Sequence, residues 1–358
     1  MTDNGQVPVL SHLVGSVSQP DAESVFRVVA DTLGNGVARI PDGEVGERFY
    51  WIQFQKSRFD ATPGLVRVGE PGPLLRGLFD NRPIAVGPGV DAASLELPPL
   101  GYADAALESY RTFSRLRDDG VIPAGVRFQV SLPTPAGVVG SFFADDAKAA
   151  VEPVYERAVL AELDRILDGI PHDDLAIQWD TALEFGLLER AEIRGHRMRA
   201  WWSDEPSEVL AGVVERAARY AAAVPDDVSL GWHLCYGDVE EHHFVQPKDA
   251  GTLADVVTGI ARSVTRPVDW IHLPVPIERD DEAYFAPLAD AEWPSGATVF
   301  LGLVHHEDGV AGALRRATAA RTAVPEFGIA TECGFGRGPA ERTVPLLRLH
   351  AEVADALS

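Results

Sequence analysis

Basic charge, cysteine and long apolar runs are all scarce in this chain of 358 residues. Lys and Arg number 31 against 54 Asp and Glu, a formal net charge of −23. That balance argues against a non-specific nucleic-acid binder and against a protein of anionic membrane surfaces, although a local pocket can still oppose the global field. No stretch approaches the roughly 18 apolar residues of a membrane span. The opening MTDNGQVPVLSHLVGSV lacks a basic segment followed by a long apolar one, so a cytoplasmic location is expected rather than export. Only two cysteines occur, Cys235 and Cys333, far apart in the chain. A protein of this length does not need a disulfide, and without an export signal both thiols are expected to be reduced. A phosphate-cradling glycine loop is missing too. GFGRGP, residues 334–339, follows a strand-like run, but its spacing fails the dinucleotide pattern and its proline comes too early for the following helix.

What the chain does have is alternation. With 46% hydrophobic residues a packed core is expected, and the length suits one α/β barrel with long loops. Strand-like runs cover 7–16, 37–44, 126–137, 175–185, 228–238, 268–276, 297–309 and 327–338. Helical periodicity marks 21–33, 103–120, 145–168, 206–224, 249–264, 312–324 and 341–357. Asp21 is the expected N-cap of the first helix, and Ser203 or Pro206 stands at the start of the fourth. Residues 49–100, irregular and rich in Gly and Pro, read as a long insertion after the second strand. The chain is therefore expected to be a single (β/α)8 barrel over 1–358, with a doubly wound open sheet as the alternative.

A barrel carries its own prediction: polar residues at the carboxyl ends of the strands converge on one mouth. Those ends hold Ser16, Asp42, Glu44, Asp180, His233, Cys235, His272, His305, His306, Glu307, Glu332 and Cys333. In GWHLCYGD, His233 and Cys235 are two apart, so a strand points both to one side. Barrel closure would bring Cys333 across the mouth to them. Zinc takes such mixed nitrogen and sulfur ligands, and a catalytic zinc keeps an exchangeable position that a substrate thiol can fill as thiolate. The plainer reading makes the cysteines small buried hydrophobes and His233 a satisfied core histidine.

Taken in order, HLVGS, PDGEVGER, IQWDTALEF, GWHLCYGD and TECGFGR resemble the catalytic half of cobalamin-independent methionine synthase, within the wider group that includes uroporphyrinogen decarboxylase. The resemblance implies the barrel and a zinc held by His233, Cys235 and Cys333. The family's fourth ligand is a glutamate at the end of strand six, where this chain has Pro274. His272, two positions earlier and facing the same way, is the substitute candidate, ahead of Glu278, Glu332 and His305. The resemblance also implies that Ser16, Glu44 and Asp180 hold the amino-acid end of a thiol acceptor. Read by themselves, Ser16 could be a turn hydroxyl, Glu44 a partner of Arg48 or Arg39, and Asp180 a helix cap. In VHHEDG the family's proton-donating histidine falls at Glu307, with His305 and His306 just before it. His242 and His243 read as a lid or a solvated loop, and FYWIQFQKSRF as an aromatic wall or as packing under the insertion.

The expected activity is a zinc-dependent methyl or alkyl transfer from a small-molecule donor to a thiol, with Asp180, His305 and Glu307 as the catalytic side chains and no nucleic-acid or membrane partner. The competing class is a lyase or hydrolase using the same mouth.

Overall fold

Eight parallel strands line up in chain order without a reversal. They are β1 (Ser11–His12), β2 (Arg39–Pro41), β3 (Arg127–Pro133), β4 (Leu175–Thr181), β5 (Ser229–Leu234), β6 (Trp270–Pro274), β7 (Thr298–Val304) and β8 (Gly328–Thr331). The computed structural model describes residues 9–193, 196–237 and 243–358. Hydrogen bonding runs β1-β8-β7-β6-β5-β4-β3-β2. Parallel bridges Ser11–Val37 and Ser16–Gly43 then join the first strand to the second and close the ring. A doubly wound sheet would reverse its strand order at a switch point, so the alternative is excluded and the fold is the (β/α)8 barrel.

Among the described residues seven main helices pack outside: α1 (Ala22–Leu33), α2 (Tyr102–Asp118), α3 (Asp145–Gly169), α4 (Pro206–Ala222), α5 (Gly251–Ser263), α6 (Gly309–Ala320) and α7 (Thr343–Leu357). Asp21 caps α1 as expected, its carboxylate accepting the Ser24 N–H at 2.8 Å. Pro206 opens α4, where its missing N–H costs nothing. Ser203 lies before it and donates to Glu208. Among the described residues no helix is long and apolar enough to cross a membrane.

The segment after β2 has more structure than its Gly and Pro content suggests. It forms helical turns over Gly46–Phe54 and Gln55–Asp60, then an antiparallel ribbon of Leu65–Arg67 with Ile84–Val86. Ile52, Phe54, Phe59 and Ile84 are buried, and Phe59 packs against Phe142, Phe143 and Tyr155. Order here comes from contacts with residues far away in the chain, which local periodicity does not register.

The lower barrel interior is filled by Trp270, Phe300 and the buried Arg39, whose guanidinium stacks 3.7 Å over the Trp270 ring. Room for Trp270 comes from Gly231, its register partner on β5. A β-carbon at Gly231 would lie 2.1 Å from the indole, closer than any real contact. Gly231→Ala is therefore expected to destabilise the protein by about 2–3 kcal/mol, read as a lowered urea midpoint. Gly72→Ala, where an added methyl group meets nothing within 4 Å, leaves the midpoint unchanged. Gly231 thus sets the floor above which the rest of GWHLCYGD works.

Candidate functional site

Register places Asp180 on β4, His233 on β5 and His272 on β6 in one row across three neighbouring strands. The alternation of β5 that points Trp232 and Leu234 to the outer layer points His233 inward, and Cys235 follows on the same side just past the strand. Cys333 comes from the loop after β8. Closure brings its Sγ to 3.8 Å from His233 Nε2. The ligand atoms of His233, Cys235 and Cys333 all lie within 4.8 Å of one another. Tetrahedral zinc with ordinary bond lengths separates its nitrogen and sulfur ligands by about 3.5–3.8 Å, so this donor set fits the ion with little movement. His233 and Cys235 are buried and Cys333 is half-buried. Three such ligands leave a fourth position open. The Cys333 thiol is held well below its ordinary pKa by a hydrogen bond with Cys235, with burial opposing and His233 and Arg337 assisting.

His272 is not part of this ligand group, contrary to the expectation from sequence. Its Nδ1 lies 2.8 Å from Nδ1 of His233 and its Nε2 lies 2.9 Å from the Thr331 carbonyl. Both ring nitrogens are occupied on the side of His233 away from the thiols. Burial and the neighbouring His233 push its pKa well below the usual range. The other substitutes are also engaged elsewhere. Glu278 accepts from Gln246, Glu332 pairs with His243 at 2.8 Å, and His305 Nε2 donates to the Val275 carbonyl at 2.8 Å.

Below the three ligands is a cavity of about 80 Å³ lined by Ser16, Glu44, Trp51, Asp180, Phe244 and Arg337. The structure thus brings Ser16, Glu44 and Asp180 together beside the thiols. The Ser16 hydroxyl also accepts the Gly336 N–H at 3.1 Å, tying the β8 loop to β1. Arg48 pairs with Asp42 at 2.6 Å rather than with Glu44. The Glu44 N–H donates to that same Asp42, which helps hold Glu44 at φ 52°, a conformation uncommon for a non-glycine residue. Asp180 is no helix cap: the short helix Leu183–Leu188 that follows has Ala182 at its cap position. Burial raises the Glu44 carboxyl to about 7, with Arg48 opposing and Asp42 assisting. Burial and then the charge of Glu44 push Asp180 well up, against hydrogen bonds from Gln178 and Trp51. A buried carboxyl whose charge raises the pKa of its neighbour makes a pocket that gains by admitting a cation.

Above the ligands is a second cavity of about 210 Å³, sharing Cys235, Cys333 and Arg337 with the first. His243, His305, Glu307, Glu332 and Arg342 complete much of its polar wall. Burial lowers the pKa of His305, while Glu307 sits at the surface paired with His306 at 3.0 Å. For His243 burial is outweighed by the Glu332 carboxylate, and its pKa is raised. His242 lies outside the described residues.

Sequence reasoning did not single out Arg337, Phe244 or Arg342, and assigned His243 to a lid or solvated loop. Arg337 sits inside the quoted TECGFGR, so its motif was a signal. Phe244 has none beyond its place beside two histidines. From FYWIQFQKSRF, Trp51 lines the inner cavity and Phe54 and Phe59 enter the core, so the segment is both wall and packing.

No family model matches the chain, and no curated protein matches it. Solved structures do. A B12-independent methionine synthase from Shewanella sp. W3-18-1, in complex with selenomethionine, superposes with a TM-score of 0.60 at 12% identity over 98% of both chains. A methyltransferase from Methanosarcina mazei superposes with a TM-score of 0.51 at 11% identity, over 98% of this chain and 95% of that one. At such identity the likeness establishes architecture: the chain has, nearly end to end, the barrel fold of these two proteins.

Proposed function

We propose that this chain is a zinc-dependent methyl or alkyl transferase of the methionine-synthase-like kind, acting on a thiol acceptor that carries an amino group. The observation that carries the reading is the His233, Cys235 and Cys333 group at the seam of two cavities, the lower with paired carboxyls and the upper rich in His and Arg. The two matched proteins of this fold, one a methionine synthase and one a methyltransferase, support it. Zinc held by these three side chains would keep an acceptor sulfur deprotonated at neutral pH.

The chain's own residues supply the remainder. Glu44 and Asp180 take the acceptor's ammonium group, with Ser16 beside them and Trp51 lining the same cavity. Anchored at that end, the acceptor directs its sulfur toward the upper cavity, where a small-molecule donor presents its carbon in line. A bond forms between sulfur and carbon as the bond from carbon to the leaving atom breaks, and the leaving atom takes up a proton. Among the polar groups of the upper wall, His243 is best suited to hold that proton, because the Glu332 carboxylate beside it favours the protonated ring. His305, neutral and spending Nε2 on Val275, and Glu307, at the rim, come after it.

The test begins with the acceptor. Protein loaded with cobalt in place of zinc is titrated with homocysteine, cysteine and 2-mercaptoethanol, and a sulfur-to-metal absorption band is sought together with proton release. Homocysteine or cysteine is expected to bind at least tenfold tighter than 2-mercaptoethanol, which lacks the amine. Methylated product is then sought by mass spectrometry with sulfonium, corrinoid and folate methyl donors. Absence of thiol binding to the loaded protein would sink the proposal.

A further inference from the structure

His233 and His272 meet through their Nδ1 atoms, 2.8 Å apart, a separation that requires one proton between them and admits only one. Which ring owns it follows from the far side of His272. There Nε2 faces the Thr331 carbonyl at 2.9 Å, and a carbonyl only accepts, so Nε2 bears a hydrogen. The His272 ring is fully buried, and its two hydrogen-bond partners are an imidazole and a carbonyl with no carboxylate between them. A charged ring there would be desolvated without a counter-ion, so His272 is neutral and its Nδ1 is a lone pair. The shared proton therefore belongs to Nδ1 of His233. With Nδ1 committed to His272, Nε2 is the nitrogen His233 offers to the thiols, and it is this atom that faces Cys333 Sγ.

We infer that His272 is a positioning residue that locks His233 in its Nδ1–H tautomer and so presents Nε2 as a lone pair to the metal position. The same line of hydrogen bonds ties two of the three ligands together. Thr331 accepts from His272 with its carbonyl, and with its hydroxyl it donates to the Cys333 carbonyl at 2.7 Å. His233 and Cys333 are thus held in register from behind, through β6 and the end of β8, whether or not an ion is present. A histidine ligand commonly gives its outer N–H to a carboxylate or a carbonyl. Here a second imidazole is inserted in that link. It leaves the fourth metal position to a substrate.

The zinc part of this inference rests on the reading proposed above; the tautomer part does not, and the experiment separates them. His272→Gln can accept from His233 with its amide oxygen and donate to Thr331 with its amide nitrogen, whereas His272→Leu can do neither. Long-range ¹⁵N–¹H spectra of the metal-free protein are expected to show His233 protonated at Nδ1 in the parent and in His272→Gln. In His272→Leu a mixture with the Nε2–H form is expected. Zinc affinity, measured by competition with a chromophoric chelator, should be alike in the first two and 10- to 100-fold weaker in His272→Leu. Thermal unfolding of each metal-free variant controls for folding. An unchanged Nδ1–H form in His272→Leu overturns the inference, as does unchanged zinc affinity there. Equal loss in both variants, with a nitrogen donor lost from the cobalt spectrum, makes His272 a ligand and overturns it too. A parent that shows the tautomer pattern but binds no zinc overturns the transferase reading and leaves the tautomer lock standing.

Discussion

Cys333→Ser, purified without added metal, is expected to carry no zinc where the parent carries about one ion per chain. Serine keeps the shape of the side chain but its hydroxyl stays protonated near neutrality, whereas Cys333 is already held as an easily ionised thiol by Cys235, His233 and Arg337. Losing one thiolate of a three-residue set should weaken zinc roughly a thousandfold, and thiol transfer should fall at least as far. Cys235→Ser is expected to behave the same way, since its sulfur belongs to the same group of ligand atoms. The metal-free variants should unfold close to the metal-free parent, because neither substitution opens a cavity. Metal analysis and chelator competition give the answer. Zinc retained in both variants would place the ion elsewhere, and loss in only one would remove the other cysteine from the site.

That site was legible in the sequence to the extent that strand geometry alone determines it. The H-x-C spacing puts His233 and Cys235 on one side of β5, and a closed barrel brings the end of β8 to the end of β5 across the mouth. Ser16, Glu44 and Asp180 are strand-end residues by the same logic. The reading went wrong at His272 because a strand pattern says which way a side chain points and not which atom it meets. Its location inside the barrel was right, but its hydrogen bonds to His233 and Thr331 run between strands distant in sequence. Glu307 reaches only the rim of the upper cavity for a related reason: the turn after Val304 leaves it exposed and paired with His306. Trp51 was hidden differently. Its φ of 52° breaks the helical turn that contains it and drops the indole into the lower cavity, and no periodicity marks such a break.

On the function proposed above, it is the lower cavity that selects which thiols the site admits. In a small chamber beside the sulfur position, burial raises both carboxyls and the charge of Glu44 raises Asp180 further, which is poor design for an empty pocket and good design for one that receives a cation. Gln178 contributes by donating to Asp180 at 2.9 Å while its oxygen accepts from His12. The carboxyl-lined cavity is therefore braced from the barrel interior, as His233 is. One polar core, His12, Gln178 and His272, thus lies behind both Asp180 and His233.

Substitution of the carboxyls tests this with a sign that depends on pH. Glu44 has a folded pKa of about 7 against an ordinary 4.5, so the folded chain holds its proton more tightly than the unfolded chain does. Stability contributed by this group is then full below 4.5, falls as pH rises toward 7 and stays lost above it. Glu44→Gln removes the penalty: it should match the parent near pH 4.5 and exceed it at pH 8 by about 2–3 kcal/mol, read from denaturant midpoints in the metal-free protein. Binding should move the opposite way. An amino thiol needs both carboxylates charged, so its affinity for the loaded parent should rise through about pH 7. Glu44→Gln and Asp180→Asn should each weaken it roughly 30- to 1000-fold while zinc content stays intact. The same variants should leave binding of 2-mercaptoethanol, which has no amine, nearly unchanged. Calorimetry at pH 6 and pH 8 distinguishes the cases. If both thiols weaken equally, the carboxyls serve the metal and not the acceptor's amine; if neither weakens, the ammonium pocket is wrong.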